Sequence, residues 1–234
     1  MRFERAIRLG AAALSGLLLL GAQSVSPKEQ VDRMLARLLR APEFRSRVVI
    51  TRSDPFGGPP EHSAGRVWFL PGRGLRFHSE ERGGEDIVVD REKGVFLVYR
   101  PSEQTVYRSD WDRAPARMRQ IIMEPEHVLE ADYRAVRERR MAGGAWRDGF
   151  RISRAPKAAA DSLPEMTVWV AADPATGLPR WVSAGGEEDS VEVEFRSIVI
   201  LPKANASDLA LTLPRGVRSE PLDPRDLLQG GESR

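Results

Sequence analysis

The sequence predicts an α+β domain built on a curved antiparallel sheet, with helices covering one apolar face of that sheet. An amphipathic helix near the N-terminus comes first, followed by a run of short strands joined by tight turns. A second helical region then separates these strands from five more. The 234 residues are 41% hydrophobic and 30% charged, which is the composition of an ordinary globular protein with enough residues for a core.

The N-terminal segment has the order of a secretory signal peptide, predicted to span residues 1–24. Met1–Arg8 is short and basic, Leu9–Gly21 is apolar, and small residues follow at Ala22 and Ser24. The apolar run of about 13 residues is short for a membrane span, although an uncleaved N-terminal anchor remains the alternative. We therefore expect an exported protein, located in the periplasm of a bacterial envelope.

Charge and cysteine content exclude several classes of function. The net charge is +2, and the first 24 residues supply all of it, so the remainder is neutral and has no electrostatic reason to bind nucleic acid. The absence of cysteine excludes disulfides, cysteine-based zinc sites, cysteine nucleophiles and lipid attachment at cysteine. The three histidines lack the spacing of a metal site, and we expect no metal and no cofactor.

The first helix is predicted over Lys28–Ala41, between Pro27 and Pro42. Its apolar residues recur at helical spacing and form one stripe. They are Val31, Met34, Leu35, Leu38 and Leu39.

Six strands are predicted next, of which the last five form an antiparallel meander with tight turns. Their predicted ranges are Phe44–Arg52, Gly65–Leu70, Leu75–Glu80, Glu85–Asp90, Gly94–Arg100 and Gln104–Arg108.

A second helical region is predicted over Asp112–Arg140, as two helices or one helix kinked at Pro125. Strands then resume, and a polar C-terminal tail covers residues 219–234. The later strands are predicted at Gly149–Arg154, Glu165–Ala171, Leu178–Ala184, Ser190–Leu201 and Asp208–Leu213.

Several strings resemble, in their order, the outer-membrane lipoprotein carrier family of the LolA type. They are Gly65–Phe69 (GRVWF), Leu75–Phe77, the stretch Glu85–Arg108, the turn Asp173–Pro179 and the ending Asp208–Val217. The resemblance covers about residues 28–218, within a LolA-like domain predicted to span residues 25–218. It implies an unclosed antiparallel β-barrel, a strongly curved sheet covered on its concave face by α-helices, with a hydrophobic cavity between the two layers.

By this resemblance the protein would be a monomeric carrier or chaperone, not an enzyme. It would bind the acyl chains of lipoproteins or lipids and pass them from an inner-membrane donor complex towards an outer-membrane acceptor. The residues expected to line the cavity alternate along the strands or lie on the helices. They are Leu35, Leu38, Val67, Phe69, Leu75, Phe77, Phe96, Val98, Met118, Ile121 and Ile122.

One departure from the family leaves a second reading open. The family typically has arginine before the proline that ends the GRVWF strand, where this chain has Leu70 before Pro71. In the family that arginine is tied to release of the ligand. A LolA-like sensor or regulatory domain that binds lipid or lipoprotein and acts on a membrane partner is therefore the alternative. An envelope hydrolase is a third reading, although no catalytic motif supports it.

Overall fold

The structure is a computed structural model that describes residues 25–54, 56, 58–113, 133–154, 167–185 and 190–222. One helix and twelve strands are defined within these ranges. They are α1 (Pro27–Arg40), β1 (Glu43–Arg52), β2 (Glu61–Leu70), β3 (Gly74–Ser79), β4 (Asp86–Asp90), β5 (Val95–Arg100), β6 (Thr105–Asp110), β7 (Tyr133–Ala142), β8 (Ala145–Arg154), β9 (Val168–Ala172), β10 (Pro179–Gly185), β11 (Ser190–Leu201) and β12 (Arg218–Pro221).

Helix α1 begins and ends within one residue of the predicted bounds, Lys28–Ala41. The Ser26 hydroxyl accepts a hydrogen bond of 3.1 Å from the backbone nitrogen of Glu29, which caps the first turn. Pro27 stands at the first helical position, and the helix ends just before Ala41, whose extended backbone is favoured ahead of Pro42.

All twelve strands belong to one sheet in the order β12-β6-β5-β4-β3-β2-β1-β11-β10-β9-β8-β7. Strands β1 to β6 form a continuous antiparallel meander, which confirms that prediction. Of the strands in the described ranges, only β12 is parallel to its neighbour, β6. Among the described strands the two edges, β12 and β7, do not pair with each other, so the sheet is unclosed as expected.

The prediction of a helix over Asp112–Arg140 is wrong at its C-terminal end, where 133–142 form strand β7. Tyr133 and Val136 have a spacing that suits a helix, but ten consecutive residues of β7 pair with β8, and this pairing decides the conformation. Gly143 and Gly144 form the turn, both with positive φ (56° and 75°), as a two-residue hairpin loop requires. Residues 114–132 lie outside the described ranges.

The predicted last strand at Asp208–Leu213 is also wrong. Ala206–Leu209 is a short 3-10 turn. The chain then runs from β11, in the middle of the sheet, to the edge where β12 pairs with β6. We call residues 202–217 the crossing segment. It is held by hydrogen bonds from the Asn205 nitrogen to Glu43 Oε2 (2.8 Å) and from Arg76 Nη1 to the Ala210 carbonyl (2.8 Å). Strand β12 follows. It includes residues 219–221, which the sequence assigned to the polar tail.

Helix α1 contacts the sheet near both of its ends. Leu38 and Leu39 pack against a buried cluster that includes Phe44 and Phe69, and Lys28 lies over the ring of Tyr133 at 4.5 Å. The predicted covering by further helices falls on residues outside the described ranges and stays a prediction. Within the described ranges, no helix is long and apolar enough to cross a membrane.

Candidate functional site

The strand residues predicted to line a cavity lie on one face of the sheet, which we call the apolar face. Directly paired residues of neighbouring strands point to the same side of a sheet. The register therefore aligns two cross-strand rows of apolar side chains. They are Phe69–Leu75–Val89–Phe96 and Val67–Phe77–Ile87–Val98.

Burial divides the predicted residues into two groups. Phe96 and Val98 are both 0% exposed and belong to a core cluster with Val89 and Trp111. Val67 and Phe69 are also buried, in a second cluster around Phe44 and Val48.

Leu75 and Phe77 differ from these core residues, because both are only half-buried. Leu75 packs against both clusters, and Phe77 packs against the second. Among the strand residues of the predicted set, these two β3 side chains are therefore the ones that keep exposed surface.

Gly65 gives the ring of Phe77 its place. A Cβ atom at Gly65 would lie 2.5 Å from Cε2 of Phe77 and 2.6 Å from the carbonyl oxygen of His78. The ring thus lies against the backbone of β2 in space that only glycine leaves open.

The helix supplies one more of the predicted residues. Leu38 packs against the second cluster, whereas Leu35 is half-buried on the same helix. Tyr133 on β7 donates hydrogen bonds to Asp32 Oδ1 (2.5 Å) and to the Lys28 carbonyl (3.4 Å), which ties the N-terminal half of α1 to the sheet. Burial and the hydrogen bond to Asp32 raise the pKa of Tyr133. Met118, Ile121 and Ile122 lie outside the described residues.

Sequence reasoning missed a further part of this face. Val193 packs with the second cluster. Starting from Val193, directly paired residues form a further cross-strand row over β10, β9 and β8. The residues in this continuation are Val182, Val170 and Phe150. The alternation in β10 and β11 was a usable signal, but the number of intervening strands could not be read from it.

The opposite face of β1 and β2 carries charged side chains. Arg47 and Arg66 both bind Glu80, at 2.7 and 2.9 Å, and these contacts hold the pKa of Glu80 below its usual value. A cavity of about 360 Å³ opens here where Ser197 interrupts β11 with a positive φ of 52°. Its lining residues are Arg45, Ser46, Arg47, Arg66, Val67, Trp68 and Ser197. The three arginines already have carboxylate partners, so the cavity offers no unpaired cation.

The described residues contain no group of three histidine, aspartate or glutamate side chains that could hold a metal ion. His62 contacts Thr51 at 3.0 Å, and His78 contacts Asp86 at 2.9 Å, each on a neighbouring strand.

Solved structures with a similar fold include a conserved protein from Thermus thermophilus. Its identity to this chain is 12% and the TM-score is 0.50, over 83% of this chain and 98% of that one. A LolA superfamily protein from Nitrosomonas europaea is also similar (9% identity, TM-score 0.45, 79% and 96% of the two chains). A DUF1329 family protein from Desulfovibrio piger gives 13% identity and a TM-score of 0.42 over 79% and 95%.

A protein of the LolA superfamily, which the sequence resembles, is thus among the solved structures similar to this chain. At 12% identity, the likeness to the Thermus protein shows a shared fold. No family model and no curated protein matches the sequence.

Proposed function

We propose that this protein is a periplasmic carrier or chaperone that binds the acyl chains of lipoproteins on its apolar face and moves them towards the outer membrane. The observation that carries the proposal is the half-buried pair Leu75 and Phe77, which lies on the apolar face beside the fully buried Phe96 and Val98. Such a surface binds by burial of hydrocarbon and needs no covalent chemistry.

The energy of acyl burial suits a carrier. Each buried methylene contributes about 0.8 kcal/mol, so binding strength scales with the length of chain that the face accepts. The helical region predicted over Asp112–Arg140, of which residues 114–132 lie outside the described ranges, would cover the face there and compete with the cargo for it. Met118, Ile121 and Ile122 would supply the apolar side of that cover, and methionine repacks readily.

The rest of the proposal follows from the sequence. Residues 1–24 direct export, residues 25–218 form the binding domain, and the chain acts as a monomer between an inner-membrane donor and an outer-membrane acceptor. Acylated lipoproteins or lipids are its ligands.

A sensor or regulatory domain is the second candidate, and Leu70 favours it. Leu70 is 1% exposed, so this position belongs to the core and cannot present a charged group to a ligand or a membrane partner. A chain without that group would hold its ligand and signal its presence without handing it on.

Photo-crosslinking at position 77 tests both candidates. A photoreactive residue replaces Phe77 in the protein expressed in its host envelope, and adducts are identified by mass spectrometry. The matched control carries the same residue at Arg66, which lies on the neighbouring strand, is exposed and points away from the apolar face.

Acylated lipoproteins bound at position 77, and absent at position 66, support the carrier. Free lipid, or a single membrane protein, at position 77 supports the sensor instead. A folded protein without any adduct specific to position 77 overturns both candidates and makes Phe77 a core residue.

A further inference from the structure

The β7–β8 hairpin concentrates positive charge. Residues 133–154 contain seven arginines and two acidic residues, a net charge of +5 in a chain whose total is +2, so the other residues together carry −3. Among the described residues, the ion pairs of this hairpin are Arg139–Asp148 at 3.9 Å and Arg151–Glu138 at 2.9 Å. Within the part of the chain that the structure describes, five of the seven arginines therefore have no carboxylate partner.

The distal half of the hairpin lies against the outer side of the sheet, opposite the apolar face. Strand β8 pairs with β9 only through residues 150–152, and beyond them the hairpin continues over β9 to β11. There Ala142 is buried with Trp169 and Trp181, and the Gly143 nitrogen donates to Glu192 Oε1 at 3.3 Å. One side of the hairpin tip is thus fixed to the protein.

The other side of the tip faces solvent and is apolar at its centre. Met141 and Trp146 are directly paired across the two strands, and they are 49% and 59% exposed. Arg137 and Arg139 stand on the same side of the hairpin as Met141, since they precede it at intervals of two, and both are exposed. The tip therefore presents a tryptophan and a methionine beside Arg139 and, further along the strand, Arg137, with the exposed Asp148 opposite Arg139.

We propose that this tip is a docking site for an anionic phospholipid surface. Tryptophan prefers the boundary between lipid headgroups and acyl chains, where its ring is apolar and its N–H stays hydrated. Arginines beside it attract anionic headgroups within a Debye length of the membrane. Because the inner side of the tip packs on Trp169 and Trp181, Trp146 and Met141 project from a rigid support. This proposal is independent of what binds at Phe77.

Vesicle binding of the complete chain tests the proposal. The protein is mixed with vesicles of phosphatidylglycerol and phosphatidylethanolamine, or of phosphatidylcholine alone, and bound protein is measured by sedimentation. One variant carries Trp146→Ser with Met141→Ser, and another carries Arg137→Gln with Arg139→Gln. The matched control carries Val199→Ser with Ile200→Ser, because these exposed apolar residues lie on β11, away from the hairpin. All variants share the same N-terminus, so differences between them report the hairpin.

We expect the Trp146/Met141 variant to bind anionic vesicles at least about tenfold more weakly. Each arginine removed should weaken binding roughly fivefold at low salt, and the control should bind like the parent. Trp146 fluorescence should shift to the blue on anionic vesicles, and Trp146→Phe should abolish the shift. Equal binding by the hairpin and control variants, or equal binding to neutral vesicles, overturns the proposal. Arginine-dependent attachment without a blue shift also overturns it and indicates an acidic protein surface.

Discussion

The ring of Phe77 lies against Gly65 of the neighbouring strand, so closely that a Cβ atom there would come within 2.5 Å of it. Gly65→Ala should therefore displace the ring and strain β3, since the added methyl also meets the carbonyl oxygen of His78. We expect a loss of about 1–3 kcal/mol in the free energy of unfolding, measured by chemical denaturation, and weaker binding of a triacylated peptide.

A double variant serves as the control for this contact. Phe77→Ala in the Gly65→Ala background removes the ring that the new methyl displaces. The losses in free energy of unfolding of the two single variants should therefore sum to more than the loss of the double variant. Strict additivity would show that Phe77 and Gly65 do not act on each other.

Phe77 and Phe96 share the apolar face but should respond differently to truncation. Phe96 is completely buried, so Phe96→Ala should lower the free energy of unfolding by about 3–5 kcal/mol. Phe77 is half-buried, and Phe77→Ala should cost less stability, about 1–2 kcal/mol, while weakening acyl-peptide binding about tenfold. Equal losses of stability with unchanged binding would place both residues in the core alone.

The sequence predicted the meander because its turns are short and its strands alternate, and these are local signals. Alternation also put Val67 with Phe69, and Leu75 with Phe77, on one side of their strands, whereas the resemblance to the LolA type implied that both pairs line one cavity. The sequence could not distinguish Phe96, fully buried, from Phe77, half-buried, because burial depends on what packs above each row. The hairpin at 133–154 was missed although Gly143-Gly144 is a strong turn signal, since the apolar spacing before it also suits a helix.

The crossing segment shows a different limit. Leu209 and its neighbours have the composition of a strand, yet Arg76 holds the Ala210 carbonyl and Glu43 holds the Asn205 nitrogen. These partners lie more than a hundred residues away in the chain. A path fixed by such distant contacts leaves no local pattern to read.

Tyr133 joins β7 to α1 through its hydroxyl, which donates to Asp32. Tyr133→Phe keeps the ring beneath Lys28 and removes only the hydrogen bonds, so we expect a loss of about 1–2 kcal/mol in the free energy of unfolding. Tyr107→Phe is the matched control, because its hydroxyl donates to Glu103 in an exposed setting. A loss no larger in the Tyr133 variant than in the control would contradict an anchoring role for this bond.

Arg45 lies between two carboxylates, those of Glu43 and Asp208, and binds both. Glu43 is completely buried, so Arg45→Met would leave it without its cation and should cost about 2–3 kcal/mol at pH 7. Arg47→Met is the control. Its partner Glu80 keeps Arg66, so the loss of stability should be clearly smaller than that of Arg45→Met.

The loss in the Arg45 variant should depend on pH. Burial and the neighbouring Glu43 raise the pKa of Asp208 above its usual value of 3.8, so the folded state holds a proton there more tightly than the unfolded state. The stabilisation of the folded state by this bound proton is complete below pH 3.8, the usual pKa, and is lost as the pH rises through the raised pKa of the folded state. Removing Arg45 enlarges the effect, so the deficit of Arg45→Met should grow from about pH 4 to pH 7. A deficit independent of pH would show that Arg45 acts by packing alone.

The burial of Leu70 provides a test between the carrier and the sensor. It pairs with Gly74, where a Cβ atom would lie 3.0 Å from Cδ1 of Leu209, so the crossing segment closes over this end of the β2–β3 hairpin. Leu70→Arg would force a charge into that contact and should lower the free energy of unfolding by at least about 3 kcal/mol, whereas Leu70→Met should cost less than about 1.5 kcal/mol. If Leu70→Arg instead folds normally and speeds release of a bound acyl peptide, the position can still serve ligand hand-off, and the carrier gains over the sensor.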